Sequence, residues 1–329
     1  MHETFRAVTA DRFGPPDFYQ LKEHRIEAPG TGRVRVRISA AALSYADMLA
    51  ARGGHQAKAA LPFTPGSEFA GIVDAIGEDV SGVAVGDPVT GVCGSGALAE
   101  MVTIPAPALR PLPAGLRSVE AAGLRVNTAT ALDALADRGT LAPGETLLVL
   151  GAAGGVGSAA VQVGKAIGAR VIAVASSAEK RDFALANGAE EAIDYAAVGR
   201  RERLRTMTGG QGVDLVFDPV GGGSFDGAFR SLAWRGRYLA VGFASGTIPS
   251  LPLNLALVKG AALIGVEIGR FTILEPMQAR ANEARIEQWY ADGILSPAIA
   301  RVFSLEAYAD AMVAASDGTG CGRIVVRMA

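Results

Sequence analysis

At 329 residues the chain is long enough for two domains, each with a core of its own. Hydrophobic residues make up 50% of it and charged residues 19%, which excludes a disordered chain. The 31 basic and 33 acidic side chains nearly cancel and form no dense basic stripe, which argues against a nucleic-acid or anionic-membrane partner.

In chain order, the first 110 residues or so alternate short β-branched runs with turn signals. The runs are VRVRISA, EFAGIVDAI, DPVTGV and AEMVTI, and PG, GED, SG and GD punctuate them, a pattern that predicts an irregular, mostly antiparallel β domain. From about residue 118 the texture changes. A helical pattern (SVEAAGLRVNTATALDALAD) leads into strand TLLVLG, helix SAAVQVGKAIGA, strand RVIAVA, helix EKRDFALANGA and the strands VDLVFDPV and GRYLAVGF. Alternating units of this length predict an α/β fold with a parallel sheet covered on both faces. Beyond residue 265 an amphipathic segment, EPMQARANEARIEQWYADGIL, precedes a helix in SLEAYADAMVAASDG and a last strand in GRIVVRM.

Cys93 and Cys321 are the only cysteines, too few for a disulfide scaffold, so a reducing, cytoplasmic location is expected. The N-terminus has scattered charges and no apolar h-region, hence no expected secretory signal. The most apolar stretch, residues 146–175, is broken by glycines, Lys165 and Arg170, and predicts strand, turn and helix rather than a membrane span.

Residues 151–157, GAAGGVG, close a buried-type strand and open a helix inside a βαβ unit. A dinucleotide-binding turn uses one glycine to bend the chain, a second to admit the pyrophosphate to the backbone and a third to pack helix on strand. Those places fall on Ala152, Gly154 and Gly157, so Ala153, Gly154, Gly155, Val156 and Gly157 are expected to cradle phosphate at a helix N-terminus. The next strand ends VIAVASSAEKR, with Ser176 and Ser177 where an acid would grip the ribose hydroxyls of NAD. Without that carboxylate, and with Lys180 and Arg181 nearby, a 2′-phosphate is favoured and NADPH is the expected cofactor. The competing reading makes Lys180 and Arg181 the solvated start of a helix.

The blocks LPFTPGSEFAGIV (61–73), VGDPV (85–89), LLVLGAAGGVGSAAVQVGKAIGARVIA (147–173), VFDPVGG (216–222), LVKGAALIGV (257–266) and the closing GRIVVR resemble the medium-chain dehydrogenase/reductase superfamily. Within it the likeness is to the zinc-independent NADPH:quinone oxidoreductase branch, almost end to end. The resemblance implies a GroES-like β domain built from both chain ends with a Rossmann domain inserted, a cleft between them, and a homodimer. The expected division is residues 1–120, then 121–264 for the Rossmann domain, then 265–329 as a return segment.

Where zinc-dependent members carry Cys, His and Cys, this chain has Ser44, Ser67 and Val126, with Glu68 left from that surrounding. His2, His24 and His55 lie apart in sequence and are expected at the surface, so no metal site is expected. Without a Lewis acid, hydride transfer from NADPH to a quinone or another conjugated carbonyl remains feasible. An enone or enoyl-thioester reductase is the alternative within enzymes, and a non-catalytic NADPH-binding redox sensor the alternative outside them. Tyr45 and Ser44, in LSYADML, are the expected hydroxyl donors toward the acceptor, while Asp47 suits a helix-start carboxylate. Thr128 stands where relatives often have Tyr, which implies a wider, less aromatic pocket. Arg125, if it faces that pocket, would favour anionic acceptors. By position in the family, Tyr195, Asp218 to Gly221, Gly242, Phe243, Asn254 and Arg323 are expected along the cofactor. Cys93 has no His partner in sequence and reads as a turn-adjacent residue.

Overall fold

The computed structural model describes residues 3–56, 59–195, 200–318 and 320–328, and divides into two compact units. In chain order its strands are β1 (Thr4–Thr9), β2 (Gln20–Arg25), β3 (Arg33–Leu43), β4 (Glu68–Ile76), β5 (Pro88–Val92), β6 (Met101–Pro105) and β7 (Leu109–Pro111). They continue with β8 (Thr146–Leu150), β9 (Arg170–Ala175), β10 (Glu191–Asp194), β11 (Val213–Asp218), β12 (Leu232–Ala240), β13 (Ala262–Gly265), β14 (Ile299–Ser304) and β15 (Arg323–Arg327).

The first unit comprises residues 1–126 and 299–329. Its main sheet runs β14-β15-β3-β4-β5-β7 with β6 also on β3, and every pairing except β14 with β15 is antiparallel. β3 is its centre because VRVRISA alternates: Val34, Val36 and Ile38 enter the core, while Arg35 and Arg37 face outward and share Asp74 at 2.6 and 2.8 Å. The parallel β14–β15 pair ties the C-terminal segment into this sheet, giving the mixed GroES-like arrangement.

The second unit comprises residues 127–298. Its six strands are all parallel in the order β10-β9-β8-β11-β12-β13, the order of a doubly wound dinucleotide-binding sheet. TLLVL reads as uniformly apolar because both faces are covered: Leu147 and Val149 enter one core, Leu148 and Leu150 the other. The helix Gly155–Ile167 lies against the first of these cores so closely that a Cβ on Gly164 would sit 2.6 Å from Leu147 Cδ2. The expected boundary at residue 265 lies instead after Ala298. Helix Pro276–Ala291 delivers Ile286 and Trp289, with Leu295 just beyond, into the core beneath β8, which holds this stretch to the second unit. No helix among the described residues is long and apolar enough to cross a membrane.

Candidate functional site

The turn after β8 is built from both backbone freedom and close packing. Gly151, not Ala152, bends the chain, with φ +60, and a Cβ there would meet Val220 at 2.9 Å. Ala152 and Ala153 bury their methyls, so the alanine at the expected first glycine place is accommodated without strain. Gly157 allows no side chain, since its Cβ would fall 2.0 Å from the Gly151 carbonyl oxygen. Gly154 is different: it is exposed, with φ −77, and its Cβ would have only the Gly151 oxygen near it, at 3.4 Å. It is also the N-cap of helix Gly155–Ile167 and supplies no side-chain cap. The amides of Gly155, Val156 and Gly157, in the first turn, therefore surround an open space suited to an anion. Phosphate of a dinucleotide fits this cradle.

Other expected cofactor residues border the same turn. The Gly151 N–H donates to the Tyr195 hydroxyl at 2.5 Å, placing that phenol at the bend. Asp218, buried at the end of β11, accepts the Val220 and Gly221 amides at 2.7 and 2.9 Å and the Tyr238 hydroxyl. Burial and the adjacent Asp218 charge push the Tyr238 phenol far up, so it remains a donor. Gly221, at φ +65, lets Phe243 approach to within 2.9 Å of where its Cβ would be, and Gly242 packs on Pro219. The loops after β11 and β12 thus form one surface beside the glycine turn.

Past β9, Ser176 is exposed and Ser177 caps helix Ala178–Ala186, its Oγ accepting the Lys180 amide at 3.2 Å. The Ser177 hydroxyl proton remains available to an acceptor. Arg181 is not available in the same way, because its guanidinium pairs with Asp194 at 2.7 Å. Asn254 is exposed on helix Leu253–Lys259. Arg323 belongs to the first unit, where it is buried against Glu68.

In the first unit the expected acceptor-side residues gather in a buried polar cluster. Ser44 caps helix Tyr45–Ala51: its N–H and hydroxyl both donate to Asp47 Oδ2, at 2.7 and 2.6 Å, and Asp47 N–H donates back to Ser44 Oγ at 3.3 Å. The Ser67 hydroxyl is also bonded to Asp47. Burial raises the Asp47 carboxyl from its ordinary range against the opposing pull of these hydroxyls and of Arg323. Tyr45 follows the cap directly and is half-buried. Glu68, 2% exposed, accepts the Arg125 and Val126 amides, each at 3.0 Å, and pairs with Arg323. The Cys93 thiol is pushed up to about 12 by burial and by the Asp47 and Glu68 charges, which leaves it unreactive, as its sequence context suggests.

Three expectations are refined here. The Arg125 guanidinium donates to the Ala108 carbonyl at 2.9 Å, so at least one of its N–H groups is engaged by the β domain. Thr128 is buried and its hydroxyl lies 3.2 Å from that of Tyr290, so a phenol accompanies Thr128 although residue 128 itself has none. Nothing in the local sequence marks Tyr290, 162 residues away. Among the histidines, His24 and His55 are half-buried, with His24 3.1 Å from the Thr9 hydroxyl; His2 lies outside the described residues.

The six-stranded sheet with its glycine turn has the topology of a dinucleotide-binding fold, and the mixed β unit that of a GroES-like domain. The "Zinc-binding dehydrogenase" family model matches residues 155–283, and the "Alcohol dehydrogenase GroES-like domain" model matches residues 30–114. The chain is 38% identical over 297 residues to "Quinone oxidoreductase-like protein 2" of Bos taurus, covering 90% of this chain and 85% of that one. Among solved structures it is similar to a quinone oxidoreductase of Pseudomonas syringae, with TM-score 0.89, 30% identity and coverage of 98% and 99% of the two chains. A mycobacterial protein complexed with NADPH superposes with TM-score 0.90 at 28% identity, covering 98% and 99%. The chain belongs to the medium-chain dehydrogenase/reductase superfamily, in its quinone oxidoreductase branch.

Proposed function

We propose that this oxidoreductase is metal-independent and reduces quinones or related conjugated carbonyls with NADPH. The observation that carries the reading is the open, uncapped helix start at Gly154 followed, at the end of β9, by Ser176 and Ser177 rather than a carboxylate. Bound NADPH supplies a hydride. Gly155, Val156 and Gly157 would hold its pyrophosphate through backbone N–H groups, and the Ser177 hydroxyl and Lys180 would take its 2′-phosphate. Phe243 and Gly221, which pack together, would bound the nicotinamide end.

On the acceptor side, the proton that completes reduction comes from a hydroxyl or water, with Tyr45 the favoured donor, because the one hydroxyl proton of Ser44 goes to Asp47. Metal independence is supported by the donor set. Hydroxyls of Ser44 and Ser67, engaged with Asp47, stand where thiolate and imidazole ligands would be needed. A homodimer is supported by β13, whose outer edge pairs with no strand among the described residues, and by Trp234, Leu253, Leu257 and Val258, each more than 60% exposed nearby in the same unit.

The test is NADPH oxidation with a panel of quinones, enones and 2-enoyl thioesters, before and after prolonged chelation. Quinone-dependent oxidation unaffected by chelation is expected. Turnover restored only by added zinc, or confined to enoyl thioesters, would replace this reading.

A further inference from the structure

The helix Arg125–Leu132 begins without a local cap, because the residue before it is Leu124. Its first amides are held from elsewhere. Glu68, 57 residues earlier at the start of β4, accepts the Arg125 and Val126 N–H groups on Oε2, each at 3.0 Å. Its other oxygen, Oε1, receives Arg323 Nη2 from β15. One carboxylate therefore joins two strands to a helix start, where the amide dipoles favour an anion. The pair is almost fully buried, with Glu68 2% and Arg323 6% exposed. Gly123 completes the arrangement: a Cβ at that position would lie 2.9 Å from Arg323 Nε, so the chain must pass the guanidinium without a side chain.

We propose that Glu68 is a positioning residue for the reductase, setting where this helix starts and thereby the placement of Thr128, one turn further along. The inference rests on the function proposed above. A carboxylate suits the task because it accepts two amides on one oxygen while Arg323 neutralises it through the other. An apolar residue would fill the space and remove the oxygen to which both amides donate.

The experiment compares Glu68→Gln with Glu68→Leu. Both remove the charge opposite Arg323, but only glutamine retains an oxygen for the two amides, so the ratio between the variants isolates the cap. The glutamine variant is expected to turn over about tenfold faster than the leucine variant, a difference of about 1.4 kcal/mol in the barrier. Their NADPH dissociation constants should be equal, because the glycine turn is untouched. Amide hydrogen exchange in the peptide spanning residues 122–132 should accelerate in the leucine variant alone.

Equal turnover in both would overturn the positioning role, and unchanged exchange in the leucine variant would overturn the cap itself. If either variant fails to fold, the same pair is compared in an Arg323→Met background, where no buried cation is left unpaired. Absence of NADPH oxidation by the unmodified protein would refute the proposed function instead, while exchange would still decide whether Glu68 holds the helix.

Discussion

Asp133 offers a stability test that is independent of any ligand. It opens the π-helical stretch Asp133–Arg138, is 1% exposed, and its Oδ1 has no hydrogen-bond partner. Burial, reinforced by the Asp137 and Glu275 charges and opposed by Arg138, pushes its carboxyl from 3.8 to about 6. An acid raised in this way binds more protons folded than unfolded between those two values. Its contribution to stability is therefore present at low pH and is lost as pH rises through about 6. A shift of this size corresponds to about 3 kcal/mol between the protonation states. Replacement by Asn removes the buried charge but keeps an amide whose burial costs about 1 kcal/mol, so Asp133→Asn should gain roughly 1–2 kcal/mol above pH 7. At about 2–4 °C per kcal/mol for a unit of this size, Tm should rise by about 2–8 °C at pH 8. The gain should disappear near pH 4. Calorimetry from pH 4 to 8 tests this, and a gain independent of pH, or a loss at pH 8, would refute the argument.

Gly154→Val should fold with a Tm near that of the unmodified protein, since φ −77 and the open surroundings accept a branched residue, yet lose NADPH binding by fluorescence titration. Gly157→Ala, by contrast, should destabilise the turn itself, because its Cβ would meet a carbonyl oxygen at 2.0 Å. Lys180→Ala should weaken NADPH by roughly 1–3 kcal/mol and leave NADH nearly unchanged, as two parallel titrations would show. Leu257→Asp, on an exposed face near β13 at the edge of the sheet, should convert a dimer to monomer in light scattering; a dimer surviving the change would place the interface elsewhere.

What could be read from the sequence was local. EFAGIVDAI and RVIAVA coincide with β4 and β9, the first bounded by turn signals and buried over its first four residues, the second buried on both faces. The strand, glycine turn and helix start at residues 146–167 were equally legible, since they are contiguous and each constrains the next. The helical pattern over residues 118–137 concealed a break between Ala121 and Arg125, where Gly123 lies against Arg323 from the far end of the chain. Arg181 read as a phosphate partner until β10 brought Asp194 to it, and Thr128 read as an aromatic vacancy until helix Pro276–Ala291 supplied Tyr290.

The acceptor-side cluster shows why such residues escape local reading. At Ser44, Ser67 and Val126 the sequence indicates what is missing, three soft ligands, without indicating what takes their place. In the fold, Ser44 and Ser67 satisfy a buried Asp47, while Glu68 uses the amide of Val126, which needs no side chain, and balances its charge on Arg323. Each substitution is unremarkable alone, and only together do they leave the buried carboxylates with donors. Restoring a thiolate and an imidazole at Ser44 and Ser67 would accordingly remove the hydroxyl donors to Asp47, so the two serines and the carboxylate constrain one another as a set.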